Sequence, residues 1–342
     1  MELKDFKARI KSAKLGGVYI FAGEEDYLKR YYLSELRSAT SPDTALAVFN
    51  NPVFDGAEVD FAALVEAVKA PPVMSDAKLI EWRHADFSSM NEKELCLLEE
   101  LVNLCGEHSY ATVAFLAPDG GVDFGVGKRK SKFITRFEKT VNILRLDKSG
   151  DTQLYGWLKR HFDARGVEVS LDTLKALVFT SGRSMDVLIG EVEKLSAMVL
   201  ARGKSTVSTE DVAEVASPVP ESEAFALSGA ITERSRSRAF AALHEMKSRR
   251  VEPAVIIGML ERSFGELGSV AALLEEGCGV ADIAATLGMN PYKVGICTSG
   301  AKRYGKEALV RIVSELTRVD AQSKFGGLSG YTAIELFIAK NL

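Results

Sequence analysis

The chain has 342 residues, which at roughly 150 residues per domain is enough for two or three domains. It contains 46% hydrophobic and 26% charged residues, and no apolar run approaches the roughly 20 residues that a membrane span needs. The net charge of −4 excludes binding to DNA through overall charge, since nonspecific affinity comes from neutralised phosphates. The first residues lack the pattern of a signal peptide, so we predict a cytoplasmic protein without membrane association.

The first predicted strand is followed by a glycine turn and a helix, the outline of a phosphate-binding loop. Such a loop needs Gly-x-x-x-x-Gly-Lys-Ser/Thr, so that backbone N–H groups, lysine and hydroxyl meet phosphate and Mg²⁺. Counted from Gly23, the lysine is present as Lys29, but Leu28 replaces the second glycine and Arg30 replaces the hydroxyl. The acidic run Glu24–Asp26 would repel a phosphate, so we predict no nucleotide binding. The residues alone leave open a degenerate phosphate loop or an ordinary helix start with acids in its first turn.

Residues 1–146 alternate short apolar runs with helical stretches, which predicts an α/β domain with a largely parallel sheet. The predicted strands are Val18–Ala22, Ala45–Phe49, Lys78–Trp82, Thr112–Leu116 and Val141–Leu146. A second glycine-rich segment precedes the last of these strands, but Val122 and Arg129 break the phosphate-loop pattern at two points. We predict a turn leading to a basic helix start there.

After residue 146 the strand rhythm stops and helical periodicity takes over. Residues 147–217 predict a small helical domain with a short extended segment at Thr206–Val207. The prolines of Ser217–Ser222 mark a linker, and residues 218–342 read as helical throughout. Pro253 and Pro291 stand where prolines suit helix starts.

Metal chemistry has no support in the sequence. The cysteines and histidines lie far apart in no ligand spacing, so we predict reduced cysteines that pack on helix faces and no metal site. They are Cys96, Cys105, Cys278, Cys297, His84, His108, His161 and His244.

Four segments carry a resemblance to a known family. Val18–Leu28 is an apolar strand followed by Gly-Glu-Glu-Asp-Tyr-Leu, and Met185–Leu195 contains Asp-Val-Leu-Ile-Gly-Glu-Val-Glu-Lys-Leu. Ile283–Val294 and the late Asp320–Lys324 with Glu335–Leu336 follow in the same order as in that family. The chain resembles the delta subunit of the bacterial DNA polymerase III clamp loader over its whole length.

The resemblance implies an AAA+-type fold with a RecA-like domain at 1–146, a helical lid at 147–217 and an all-α collar at 218–342. It implies a subunit of the DNA polymerase holoenzyme that opens the sliding clamp without hydrolysing ATP. The implied partners are the clamp, the other loader subunits in a hetero-pentameric ring and primed DNA. We expect no catalytic residue, cofactor or metal in this chain. The strand Lys78–Trp82 agrees, because Arg83 and His84 follow it where a Walker B acid pair would bind Mg²⁺.

The resemblance also implies a clamp-binding element, a pair of exposed apolar residues just before the strand Lys78–Trp82. Val73 and Met74 match the usual Leu-Phe pair by position, after two prolines. Such a pair would insert into a pocket on the clamp as an apolar anchor. The alternative is that Val73 and Met74 are core residues at a helix-to-strand turn.

Two other functions remain to be weighed. The segment Val280–Val294 has the outline of a helix-turn-helix, which favours a DNA-binding regulator, although its second helix offers no Arg, Asn or Gln for bidentate base contacts. An active AAA+ ATPase is opposed by the two broken loops and the absent Walker B pair. Basic side chains that could meet DNA in a complex are Lys128, Arg129, Lys130, Lys132, Arg249 and Arg250.

Overall fold

A computed structural model describes residues 1–13, 15–40, 45–127, 129–325 and 329–342. The chain divides into two compact units, Met1–Gly150 and Asp151–Leu342. In chain order the elements of the first unit are α1 (Leu3–Ser12), β1 (Gly17–Ala22), α2 (Asp26–Thr40), α3 (Ala47–Asn50), β2 (Val53–Asp55), α4 (Phe61–Lys69), β3 (Lys78–Arg83), α5 (Glu92–Glu107), β4 (Ala111–Leu116), α6 (Lys132–Phe137) and β5 (Asn142–Arg145).

The first unit is built on a parallel sheet whose described strands have the order β2-β3-β4-β1-β5. β1 lies between β4 and β5, with Tyr19 opposite both Ala114 and Asn142. Helices cover both faces, so the central strands are buried almost without interruption, as parallel strands require. One face packs Ile20 among its apolar neighbours and the other packs Phe21. The predicted α/β domain with a parallel sheet is confirmed.

Four of the five predicted strands are present, with ends that shift by at most one residue. The strand predicted at Ala45–Phe49 is wrong, because residues 47–50 form the short helix α3 and the edge strand is β2, after Pro52. Short apolar runs do not distinguish strand from helix by periodicity. Val48 and Phe49 also point away from the core, which removes the burial that a strand assignment assumes.

The described part of the second unit is helical apart from one short pair of strands. Its elements are α7 (Asp151–Asp163), β6 (Glu168–Val169), α8 (Leu171–Ser181), α9 (Met185–Ala201), β7 (Thr206–Val207), α10 (Thr209–Val215), α11 (Pro220–Thr232), α12 (Arg236–Ser248), α13 (Pro253–Glu275), α14 (Val280–Leu287), α15 (Pro291–Phe325) and α16 (Gly330–Asn341). The extended segment predicted at Thr206–Val207 is β7, which pairs in parallel with β6. The division of this unit into a lid at 147–217 and a collar at 218–342 stays a prediction.

The longest helix is interrupted at Gly305. Within α15, Gly305 has φ 72° and ψ 160°, so the run consists of two helices across a kink. The packed core of residues 224–338 draws on α11 to α16, with Leu260, Phe264 and Phe337 at its centre. The predicted helical character of residues 218–342 is confirmed for the described part of that range.

Candidate functional site

The turn after β1 is bound to the end of β5. Gly23 has φ +115°, and a Cβ atom there would lie 2.5 Å from the Leu146 carbonyl oxygen, so the position requires glycine. The Glu25 N–H donates to that same carbonyl at 2.9 Å, and the Leu146 N–H donates to the Ala22 carbonyl at 2.7 Å. A phosphate loop directs its N–H groups at the ligand. Here the Glu25 N–H closes the turn instead.

Lys29, at the place of the phosphate-binding lysine, is committed to the protein. Its side chain is 4% exposed, and its ammonium lies 2.7 Å from the Asp26 carboxylate. The same nitrogen donates to the Ala117 carbonyl at 2.9 Å, just beyond β4. Lys29 therefore ties the start of α2 to the end of β4, and its charge is already neutralised.

A cavity of about 490 Å³ lies beside these residues at the carboxyl ends of β3 and β4. In parallel sheets this edge is where ligands bind. Arg37 in its wall donates Nε to Glu81 Oε1 at 2.7 Å and Nη2 to Oε2 at 2.9 Å, and Glu81 is fully buried in β3. Arg83 lies 3.5 Å from the same carboxylate, and Asp26 and Asp119 also line the cavity. Both guanidinium groups therefore face the same carboxylate of the protein.

β3 ends in Arg83, with His84 next, as the sequence predicted. His84 adopts a left-handed conformation with φ 62°, which is unusual for a residue with a side chain. Its Nδ1 lies 2.6 Å from a carboxylate oxygen of Asp55, the last residue of β2. This hydrogen bond holds the pKa of Asp55 below its ordinary value. An imidazole–carboxylate pair thus occupies the strand ends, where a nucleotide hydrolase would place two acids.

The predicted clamp-binding residues lie on the loop between α4 and β3. Met74 is 88% exposed and Val73 is 43% exposed, so they are not core residues. Met74 also adopts a left-handed conformation with φ 49°, which is uncommon for a residue with a side chain. The core alternative is therefore wrong, while the role of Val73 and Met74 in clamp binding stays a prediction.

Two anchors hold this loop. Lys78 donates Nζ to the carbonyls of Ala67 and Ala70 at 2.6 and 2.9 Å, which caps the end of α4, and burial lowers its pKa. Asn50, fully buried, donates Nδ2 to the Val73 carbonyl at 2.9 Å and accepts from the Val73 N–H at 2.7 Å. The loop is thereby fixed on both sides of Val73, and Met74 stands at its exposed tip.

Sequence reasoning missed a second exposed apolar pair beside this loop. Val48 is 83% exposed and Phe49 is 61% exposed, and both belong to α3, whose last residue is Asn50. A large apolar side chain in water is informative when it has exposed apolar neighbours. The strand assignment hid this signal, because it placed Val48 and Phe49 in the sheet.

The segment with a helix-turn-helix outline packs within the second unit. α14 ends at Gly288 in a left-handed conformation, and α15 begins at Pro291. Val294 and Cys297 are fully buried, and Lys293 pairs with Glu266 of α13 at 2.5 Å. The face of α15 that would enter a DNA groove is thus partly committed to the core, which favours a packing role.

The basic candidates are partly neutralised by neighbours. Lys130 pairs with Glu138, and Arg249 lies 2.9 Å from Glu223 and 3.1 Å from Glu245. Lys128 lies outside the described residues. Lys130 and Arg249 are thus paired within the chain.

The second unit contains a cavity of about 580 Å³ between α7, α8 and the start of α15. Its polar groups bind one another, since Asn290 donates Nδ2 to Asp151 at 2.9 Å and to Tyr155 Oη at 3.2 Å. Most of the remaining wall is apolar, as at Leu174 and Pro291.

Among the described residues, no helix has the length and hydropathy of a membrane span, and no three His, Cys, Asp or Glu side chains are grouped so that they could hold a metal ion. Burial raises the pKa of the Cys105 and Cys297 thiols to about 12, so these two cysteines are packing residues.

The first unit is thus an α/β domain with a parallel sheet, a closed glycine turn and an anchored apolar loop, and a mostly helical unit follows it. The chain superposes on the Bacillus subtilis DNA clamp loader delta protein with a TM-score of 0.59 and 19% identity, over 99% of both chains. That likeness shows the fold.

Sequence comparison carries the assignment further. Residues 221–341 match the family model of the DNA polymerase III delta subunit, C-terminal domain. The chain is 21% identical to the DNA polymerase III subunit delta of Bacillus subtilis (strain 168) over 338 residues, 97% of this chain and 95% of the relative. It is 24% identical to the probable DNA polymerase III subunit delta of Aquifex aeolicus (strain VF5) over 313 residues, 90% and 86% of the two chains. The resemblance to the delta subunits of the clamp loader, a class that acts in DNA replication, is confirmed.

Proposed function

We propose that this chain binds and opens the sliding clamp for loading onto primed DNA, without hydrolysing ATP itself. The loop that contains Val73 and Met74 carries the proposal. An exposed methionine on a loop that is fixed at both ends suits an apolar anchor, because little conformational entropy remains to be lost on binding. Its flexible thioether adapts to an irregular pocket.

The closed glycine turn supports the second part of the proposal. A nucleotide would have to break the hydrogen bond from the Glu25 N–H to Leu146 and draw Lys29 away from Asp26 and Ala117. Each of these is a buried or partly buried contact whose loss leaves a polar group unpaired. The chain would then depend on other ring subunits for ATP hydrolysis.

Assembly with those subunits is assigned to the collar, residues 218–342. Its described helices bury one continuous core and still expose apolar side chains, among them Val310 and Leu336. Such side chains suit a subunit interface. The expected assembly is the hetero-pentameric ring that meets primed DNA in the cytoplasm.

Clamp binding by the full chain tests the function. The purified chain should bind its cognate sliding clamp in a surface-plasmon or fluorescence titration, with the same dissociation constant in the presence and absence of Mg-ATP. A complex that forms only with Mg-ATP would contradict the proposed independence from nucleotide. Absence of a complex, together with sequence-selective binding to duplex DNA, would favour the regulator instead.

A further inference from the structure

Four exposed apolar side chains cluster on the first unit around one buried amide. Val48 and Phe49 are the two middle residues of α3, while Val73 and Met74 lie on the loop before β3. We call these four residues the apolar surface. Asn50 joins its two halves, because it directly follows Phe49 and binds the backbone of Val73 through both amide atoms.

The connection through Asn50 is rigid. Both hydrogen bonds are of normal length, 2.7 and 2.9 Å, and the Asn50 side chain is fully buried. The backbone of α3 is itself hydrogen-bonded, since the Phe49 and Asn50 N–H groups donate to the Leu46 carbonyl at 3.0 and 3.1 Å. The two apolar pairs are therefore presented together rather than on independent loops.

Size argues that the two pairs serve one partner. A stable interface buries about 800 Å² on each partner, more than two side chains the size of valine and methionine supply. Burial of an aromatic ring removes about 150–250 Å² from water, and hot spots of interfaces are enriched in aromatic residues. The pair Val73 and Met74 has no aromatic member, whereas Phe49 supplies one within the same surface.

We propose that Val48 and Phe49 form a second anchor for the sliding clamp, beside Val73 and Met74. This inference rests on the proposed function and names a further part of the same contact. The clamp is the occupant because the second anchor is continuous with the first through Asn50. Phe49 then provides the aromatic contact that the loop pair lacks.

The test compares double variants of the full-length chain in clamp titrations. Val48→Ala with Phe49→Ala should weaken clamp binding at least tenfold, as Val73→Ala with Met74→Ala also should. The control is Val126→Ala, because Val126 is equally exposed and lies elsewhere on the first unit. The control should bind like the unaltered chain, and all three variants should keep its melting temperature.

The outcomes separate the inference from the proposed function. If the loop variant loses binding and the α3 variant does not, the second anchor is refuted and the proposed function stands. If neither variant loses binding to a clamp that the unaltered chain binds, both the loop assignment and the second anchor fail. If the α3 variant binds the clamp normally but no longer joins the other loader subunits or a second copy of this chain, the occupant is that partner and the inference is overturned.

Hydrogen exchange on the unaltered chain gives a measurement that needs no variant. Addition of the clamp should slow exchange of backbone amides in residues 47–50 as well as in residues 72–75. Protection confined to residues 72–75 would overturn the second anchor even if the α3 variant failed to fold.

Discussion

The glycine turn after β1 and the apolar surface lie on the same unit but differ in how their groups are satisfied. At the turn, the Lys29 ammonium and the Arg37 guanidinium each bind a carboxylate of the chain. At the apolar surface, Phe49 and Met74 remain largely in water although their backbones are firmly held. In the first region the charged groups are paired within the chain. In the second, burial of the apolar side chains by a partner would be favourable.

The polar groups of the first region serve the structure of the chain. Lys29, at the place of a phosphate-loop lysine, links α2 to the end of β4. Glu81, in the middle of a buried strand, is tolerated because Arg37 reaches it with two hydrogen bonds. The apolar surface differs from this region, because its four side chains are exposed.

Removal of Arg37 should have the largest effect and would test whether the strand-end region is structural. Arg37→Met leaves the Glu81 carboxylate buried with Arg83 alone nearby, at 3.5 Å. Loss of one partner of a buried ion pair costs about 3 kcal/mol or more, so the free energy of unfolding in urea should fall by that amount.

Addition of Glu81→Gln to Arg37→Met is the matched control, since it removes the unpaired charge. The double variant should regain part of the lost stability. A single variant as stable as the unaltered chain would mean that water reaches Glu81 and that the region is less closed than its geometry indicates.

Truncation of the clamp loop tests the other side of the comparison. Val73→Ala with Met74→Ala should lower clamp affinity about thirtyfold, or about 2 kcal/mol, because the variant loses the apolar side chains that the clamp would bury. The same change should alter the free energy of unfolding by less than about 0.5 kcal/mol, since both side chains are exposed in the free chain.

A loss of about 2 to 5 kcal/mol in the free energy of unfolding, with the folded fraction still binding the clamp, would contradict the anchor role of Val73 and Met74. It would mean that both side chains pack in the core in solution. Val126→Ala serves again as the control, because it truncates an exposed apolar side chain on another loop. Unfolding and clamp titration on the same preparations decide between the two results.

The contrast between the two regions also explains what the sequence could predict. Buried parallel strands appear as continuous apolar runs, so β1, β3, β4 and β5 were recognisable, and the acidic turn at Glu24–Asp26 was visible as a local pattern. The helix α3 was not recognisable, because the short apolar run Ala45–Phe49 resembles a strand. Contacts between distant positions were also hidden, such as Asn50 with Val73 and Arg37 with Glu81, since no local pattern records which polar groups meet in the fold.

A smaller effect is expected from Lys29→Met, which separates a structural lysine from a phosphate-binding one. The change leaves the Ala117 carbonyl and the Asp26 carboxylate without their buried donor, so stability should fall by about 1.5 kcal/mol. Calorimetric titration with Mg-ATP should show no binding for either the unaltered chain or the variant. A micromolar dissociation constant in the unaltered chain that Lys29→Met abolishes would show that the loop still binds nucleotide.

The smallest effect should come from the imidazole–carboxylate pair at the strand ends. His84→Asn keeps a residue type that tolerates the left-handed conformation and removes the hydrogen bond from the ring to Asp55. Because that hydrogen bond is the main cause of the lowered pKa of Asp55, the pKa should rise toward its ordinary value of 3.8 in the variant. A carboxyl resonance titration by NMR measures it directly.

The sign of the linked stability follows from the direction of this shift. A lowered pKa in the folded chain stabilises it above the ordinary pKa of an aspartate, and the contribution is lost as the pH falls through the lowered value. The difference in melting temperature between the unaltered chain and His84→Asn should therefore be present at pH 5 to 7 and shrink in acid below about pH 3.5. Clamp affinity should stay unchanged at neutral pH, because the pair lies at the strand ends and contributes no side chain to the apolar surface. If the pKa of Asp55 is the same in the variant, the imidazole does not bind the carboxylate in solution. The strand ends would then be less closed than their hydrogen bonds indicate.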